Sequence, residues 1–262
     1  MVLSMMTNYK IKSNIKEAMI FAAGRGSRMR YNTKYKAKPL IKINNEELLK
    51  INLNKIASSG IRTCVVNSSY KHISIKKFIK NFKFKNNKPK VYVSHEIDKL
   101  DTGGGFKLAK KYFSTNNVLL VNGDSLLTNH LNDCPIKKLS DNFLSNKMDI
   151  LLLLSSISNS VGYTGNGDYI KKFKGRPSLI ERKCKHHKDN NAFIFTGWQI
   201  INKTLLSQVT KNKFSLNILY DLAEKNKRLY GINHEGSFLH LSTPKSLSQI
   251  ENYLRFQKVK VL

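Results

Sequence analysis

The feature that most constrains this chain is an alternation in its first half. Short apolar runs of strand length take turns with amphipathic stretches of helical period. The runs are Glu17 to Ala23, Thr63 to Asn67, Val91 to Ser94, Asn117 to Val121 and Met148 to Leu154. Between them, Glu46 to Ser58 carries Leu48, Leu49, Ile51, Leu53 and Ile56 on one helical face, and Gly60 stops it. Ile73 to Phe82 and Gly105 to Tyr112 read as further helices, and Lys83 to Lys90 as a basic loop. Strands that alternate with helices specify βαβ units, and these stack into a mostly parallel sheet with both faces covered. Met148 to Leu154 is almost wholly apolar, as the middle of such a sheet requires.

The second half changes character. Ser155 to Asp189 is polar, with short strand candidates around Tyr169 and Leu179, and Ala192 to Ile201 reads as a returning strand. Ser215 to Asn226 is a helix, while Arg228 to Ile232 and Phe238 to Leu241 are strands. A last helix spans Thr243 to Leu254, with Thr243 as its cap and Pro244 in its first position. Neither a repeat nor a linker divides the chain. The expectation is a single α/β domain, Rossmann-like, with a twisted sheet flanked by helices over residues 17–256, preceded by an N-terminal extension, 1–16.

Composition narrows the class. The 262 residues suffice for one large α/β domain. The strongest apolar run, Ile150 to Leu154, falls far short of a bilayer span, so no membrane insertion is expected. Asn8, Lys10, Lys12, Asn14 and Lys16 interrupt the N-terminus, which lacks the apolar region of a signal peptide. Cys64, Cys134 and Cys184 are scattered and odd in number, which argues against a disulfide framework. Together these point to a cytoplasmic protein. The net charge of +29 could serve nucleic-acid binding. But the excess is mostly Lys spread along the whole chain beside abundant Asn and Ile, as an A/T-rich coding bias would give. The preferred reading disfavours a nucleic-acid partner, with a charge-driven nucleic-acid binder kept as an alternative, and keeps long-range attraction of anionic substrates.

Three motifs carry chemistry. In Ala22-Ala23-Gly24-Arg25-Gly26-Ser27-Arg28-Met29, two glycines follow the first strand, where bare amides can form a concavity for phosphate oxygens. Arg28 and Lys38, the latter in Lys38-Pro39-Leu40, add cations for a polyphosphate. No Gly-Lys-Ser/Thr follows, so this is not a Walker loop, and Met29 stands where the dinucleotide fingerprint needs a third Gly. In Leu100-Asp101-Thr102-Gly103-Gly104-Gly105, three glycines before a helix would let a ligand approach the backbone. Asn122-Gly123-Asp124 puts a carboxylate at the C-terminal end of a central strand, where open α/β sheets bind ligands and where Mg²⁺ could be held. Each motif alone is matched by a plain turn or loop.

Their order resembles the sugar-1-phosphate nucleotidylyltransferases. That family opens with L-A-A-G-x-G-S/T-R-M/L and a following K-P-L/M. Phe21 replaces the first Leu here, and Ala22 to Met29 and Lys38 to Leu40 match. The likeness is strongest to the N-acetylmuramate-1-phosphate uridylyltransferase-like group. Its E-T-G-G-G, V-N-G-D, G-D-F and F-T/A-G segments resemble Asp101 to Gly105, Val121 to Asp124, Gly167-Asp168-Tyr169 and Phe195-Thr196-Gly197. The group's W-x-D/H-V-G-T-P segment resembles Phe238 to Pro244. The resemblance implies the nucleotidyltransferase fold, a nucleoside triphosphate and a sugar 1-phosphate as partners, and Mg²⁺ as cofactor. It also implies residue roles. Backbone at Ala22, Ala23 and Gly24 would hold the base, and Gly26, Ser27 and Arg28 would wrap the triphosphate. Glu96 would accept the N3–H of uracil, near Thr102 and Gly103. Lys38 would bridge phosphates and Asp124 would hold the metal. Gly167, Asp168, Glu181, Lys183, Thr196 and Gly197 would line the sugar.

One departure stands out. Many relatives carry a second metal-binding Asp where this chain has His240, with Ser242 in place of a Gly. Mg²⁺ prefers oxygen, so His240 would instead hydrogen-bond a metal-bound water or a phosphate, or serve as a core histidine. Cys184-Lys185-His186-His187 lacks a second ligand pair for zinc and reads as a solvated basic loop. The expected reaction joins a nucleoside monophosphate, from UTP, to a sugar 1-phosphate and releases pyrophosphate. Guanylyl or glucose-1-phosphate transfer, and a nucleotide-sugar-binding protein without turnover, stay open. The oligomeric state is not encoded in any motif.

Overall fold

A computed structural model describes residues 15–84, 88–128, 134–171, 176–184 and 192–257. Most of the N-terminal extension, the middle of the Lys83 to Lys90 loop and Lys185-His186-His187 lie outside the described residues. The first half follows the expected alternation. β1 (Glu17–Phe21) leads through a hairpin of β2 (Lys42–Ile43) and β3 (Glu46–Glu47) into α1 (Leu48–Ser58). Then come β4 (Thr63–Ser68), α2 (His72–Asn81), β5 (Lys90–His95), α3 (Asp101–Ala109) and β6 (Asn117–Asn122). After β7 (Ser125–Leu127) and α4 (Pro135–Asn142) the chain forms β8 (Ile150–Ser155), β9 (Ser160–Val161), β10 (Tyr169–Lys171) and β11 (Ser178–Arg182). It ends with β12 (Ala192–Asn202), α5 (Asn217–Lys225), β13 (Leu229–Asn233), β14 (Phe238–His240) and α6 (Pro244–Phe256).

The main sheet has nine strands in the order β10-β11-β13-β8-β12-β6-β1-β4-β5. All point the same way except β11 and β12, which run against their neighbours. The start of β12 also pairs with β10, so the second half of the sheet curls into a ring of β10, β11, β13, β8 and β12. β8 is the buried central strand its composition demands, but it lies between parallel β13 and antiparallel β12.

Successive strand residues point to opposite faces, and here both faces are apolar. Ala18, Ile20, Cys64, Val66, Leu119 and Val121 face α1, α2 and α4 through Leu53, Ile56, Ile75 and Leu139. Met19, Val65, Leu120, Leu152 and Leu154 face α3 and α5 through Phe106, Ala109, Leu219 and Ala223. A third cluster joins Met29, Ile43, Leu48, Leu126, Leu239 and Ile250. It seats α6 and the small sheet β7-β14-β9 beside the main one. α6 starts as its sequence dictates. Thr243 Oγ1 accepts from Ser246 N, Ser246 Oγ accepts in return from Thr243 N, and Pro244 occupies the first turn. Such a cap contributes about 1 kcal/mol.

One expectation is corrected. The helix expected from Gly105 begins at Asp101, so Thr102 to Gly105 lie inside α3 and not in a loop before it. The glycines admit close neighbours. A Cβ on Gly103 would stand 2.3 Å from Phe214 Cε2, and one on Gly104 2.3 Å from Asn212 O. The N–H groups of Gly103 and Gly104 both donate to Phe214 O, at 2.9 and 3.0 Å.

Candidate active site

The ends of β1, β4, β5 and β6 open on one edge, which β12 crosses with its middle. β1 delivers Ala22, Ala23 and Gly24 there. Gly24 is exposed, and a Cβ on it would meet nothing within 4 Å, so the backbone is open to a ligand. Gly26 has φ +66° and backs onto Lys38, whose Cβ would lie 3.0 Å from an added side chain. Thr33 Oγ1 donates to Gly26 O at 3.0 Å, and a 3-10 turn over Ser27–Thr33 follows, anchored by buried Met29. Ser27 and Arg28 are left exposed on its outer side.

The charged centre is Lys38 with Asp124. Lys38 Nζ lies 2.5 Å from Asp124 Oδ2, with the two side chains 10% and 28% exposed. Burial alone would raise the Asp124 pKa, but the Lys38 ammonium, as charge and as donor, and the nearby His240 hold it below the usual carboxylate value. β14 pairs with β7 so that His240 stands opposite Ser125, and Leu241 N donates to Asp124 O at 3.1 Å. Burial depresses the His240 pKa, with Lys38 and Arg28 adding to the effect against Asp124 and Asp168. Its Nδ1 is buried without a hydrogen-bond partner. Arg28, Lys38, Asp124 and His240 are thus brought together by three separate stretches of chain.

These residues fit a hard divalent cation. Asp124 offers a partly exposed carboxylate at a strand end, and Mg²⁺ is commonly held by one or two carboxylates with substrate phosphates supplying the rest. The imidazole of His240 is the wrong donor for that ion but can hydrogen-bond a water or phosphate beside it.

Tyr163 links this centre to the second lip of the cleft. Its ring centroid lies 6.2 Å from that of His240, and its hydroxyl donates to Asp168 Oδ1 at 3.3 Å. Asp168 Oδ2 accepts from Phe195 N at 2.9 Å. Gly167, Asp168, Lys183 and Phe195 share a cavity of about 360 Å³. Lys183 Nζ reaches Asn166 O at 2.8 Å. Glu181 lines a different cavity, with Asp221 and Glu224. Thr196 is fully buried and donates to Leu153 O, and Gly197, φ +81°, lies against Asn122. Those two hold β12 to its neighbours and present no side chain to the cleft. A further cavity of about 800 Å³ lies by α3, and its Lys107 and Lys203 ammoniums are already bound to backbone carbonyls.

On the first lip, Glu96 is 2% exposed. Its Oε1 accepts from Asn67 Nδ2 at 2.6 Å and its Oε2 from Leu100 N at 3.2 Å. Asn67 Oδ1 accepts in turn from Ala22 N at 2.6 Å. Burial raises the Glu96 pKa despite those two donors. Thr102 Oγ1 accepts from Leu216 N at 3.0 Å, so with Gly103 it is engaged in packing α3 against the approach to α5. Asn67 and Tyr163 escaped the sequence reading. Asn67 could have been found, since it is a polar residue ending an apolar strand, as Asn122 is.

An α/β sheet whose strand ends carry an open glycine turn, a lysine–aspartate pair and a second lip of polar groups defines an enzyme that works on phosphates. Residues 17–237 match the nucleotidyl transferase family, and the chain belongs to it, among the sugar-1-phosphate nucleotidyltransferases. It is 26% identical over 232 residues to an N-acetylmuramate alpha-1-phosphate uridylyltransferase of Caulobacter vibrioides, covering 88% of this chain and 93% of that one. It is also 26% identical over 248 residues to a D-glycero-alpha-D-manno-heptose 1-phosphate guanylyltransferase of Aneurinibacillus thermoaerophilus, covering 91% and 100%. A solved UDP-glucose pyrophosphorylase complexed with UDP-glucose shares the fold, with TM-score 0.75 at 13% identity over 94% of this chain and 100% of that one. Among the described residues no helix is long and apolar enough to cross a membrane.

Proposed function

We propose that this enzyme transfers uridine monophosphate from UTP to N-acetylmuramate 1-phosphate, in the cytoplasm, with Mg²⁺ as cofactor and a nucleotide sugar for cell-envelope synthesis or recycling as product. The observation that carries the chemistry is the Lys38–Asp124 pair, set beside His240 and with Lys38 packed against Gly26 of the glycine turn. The choice of base and sugar follows the Caulobacter relative. A guanylyl transfer to a heptose phosphate is the second reading, favoured by the Aneurinibacillus relative at equal identity.

The sugar phosphate is already ionised, so its oxygen needs no general base to attack the α-phosphorus in line. The protein therefore acts by positioning and by neutralising charge. The Gly24–Gly26 backbone and Arg28 hold the triphosphate. Lys38 neutralises phosphate oxygens of the bound substrates. Asp124 would hold Mg²⁺, which when bound would neutralise charge on the reacting phosphates. Asp168 and Lys183 orient the sugar from the second lip. A matrix of UTP, GTP, CTP, ATP and dTTP against N-acetylmuramate, heptose, mannose and glucose 1-phosphates, read by pyrophosphate release, tests the assignment. Highest kcat/KM for UTP with N-acetylmuramate 1-phosphate is expected. A GTP–heptose optimum would replace it with the second reading.

A further inference from the structure

We propose that Asn67 is a positioning residue for the nucleotide, tying the open turn after β1 to the buried Glu96 carboxyl; this rests on the reading of the cleft as a nucleotide site.

Hydrogen-bond polarity supplies the argument. The Ala22 backbone N–H can only donate, so the group that Asn67 turns toward it at 2.6 Å must be the carbonyl Oδ1. The amide Nδ2 then faces Glu96 Oε1, also at 2.6 Å. Leu100 N, another obligate donor, occupies Glu96 Oε2 at 3.2 Å. The bonds converge on the Glu96 carboxyl from both sides, linking the turn after β1, the end of β4, the residue after β5 and the start of α3. Both side chains are 2% exposed, and an amide and a carboxyl that deep are costly unless fully paired. The fold makes room for them. A Cβ on Gly105 would lie 2.4 Å from Glu96 Oε1 and 2.9 Å from Asn67 Nδ2, so the third glycine of the run accommodates this pair.

The turn so held is the one whose Gly24 is open to a ligand. With Ala22 N pinned to Asn67, that backbone is set before nucleotide arrives, and little ordering remains to be done on binding. Release of the pin should weaken nucleotide binding while the sugar lip, built around Asp168, is untouched. Glu96 is too buried to gain from solvent contact itself, so its part is to hold Asn67 in the required flip.

The test exchanges bond polarity. Asn67→Asp keeps an acceptor for Ala22 N–H but sets a carboxylate against Glu96. The two must share a proton, with His95 and Asp101 the charged groups that flank them. In the double variant Asn67→Asp, Glu96→Gln, the introduced carboxylate accepts from both Ala22 N–H and the new amide. The introduced amide's oxygen then accepts from Leu100 N, so every bond is restored, with only the bond between the two side chains reversed in direction. Calorimetric dissociation constants for UTP and GTP are measured from pH 6 to pH 9. The single variant should bind about tenfold or more weakly at high pH and recover as pH falls. The double variant should return to within about threefold of wild type at all pH values. Unchanged affinity in Asn67→Asp, a loss that does not vary with pH, or a double variant no better than the single overturns the proposal. Wild-type protein that binds neither nucleotide overturns both this proposal and the assigned function. Wild-type protein that binds nucleotide but turns over no sugar phosphate overturns the assigned function alone.

Discussion

Arg28 is exposed at the glycine turn, yet its charge reaches His240, and the proposed mechanism gives it a place on the rim of the phosphate site. Arg28→Ala should lower turnover by roughly 10²-fold, the usual effect of removing a charge partner of the transition state, with little change in melting temperature. Wild-type pyrophosphate release would remove Arg28 from the mechanism. Asp124→Asn keeps shape and one oxygen but loses the charge that holds a hard cation. Activity should fall sharply, and a Mg²⁺ titration should restore part of it. His240 separates two arrangements. As a hydrogen-bond donor to water or phosphate it should tolerate Asn within about tenfold, whereas a direct ligand would lose on the order of 10²-fold. His240→Asp should keep or raise Mg²⁺ affinity in either case. If Mg²⁺ dependence survives both Asp124→Asn and His240→Asn, the cation is held elsewhere.

At the scale of elements, two glycines from the two motifs should respond in opposite ways. Gly104→Ala drives a Cβ to 2.3 Å from the Asn212 carbonyl, so α3 must shift, at a cost of about 1–3 kcal/mol in stability. Gly24→Ala meets open space and should leave the melting temperature alone while weakening nucleotide binding. The strand β1 is fastened at its start by Glu17, buried at 4% exposure. Burial would raise its pKa, but donors from Ser114 and Thr115 outweigh that and lower it below the ordinary glutamate value. A lowered folded value means the stabilisation is present above the ordinary glutamate pKa and is lost as pH falls through the folded one. Glu17→Gln should therefore cost about 2 kcal/mol at pH 7, and the gap to wild type in denaturant melts should close in acid. The glycines also show where sequence reading stops. Strand and helix periods in Thr63 to Asn67 or Glu46 to Ser58 are local, and those elements appear within a residue or two of expectation. Thr102 to Gly105 has poor helix propensity. Its helix exists because Phe214, far along the chain, accepts two of its N–H groups. α4 and β7 were not anticipated either, being short and bounded by little punctuation. At the site, Lys38 and Asp124 were legible from their motifs, whereas the Asn67–Glu96 bond needed the sheet order to bring β4 beside β5.

For the whole molecule, +29 charges make a field that no single contact expresses. Both substrates are anions, so kcat/KM should fall severalfold between about 0.05 and 0.5 M salt while kcat holds, as steering is screened. A flat salt profile would leave the charge without a catalytic role. The placement of β12 has a consequence for synthesis. β6 and β8 both lean on it, yet it is translated well after either. Until it leaves the ribosome, the nascent chain has two apolar strands with bare edges and no neighbour to cover them. Such edges invite pairing with other chains. Pauses or truncations in the polar stretch before Ala192 should thus yield insoluble or chaperone-bound product, whereas chains released beyond Asn233, with β13 also in place beside β8, should escape that fate.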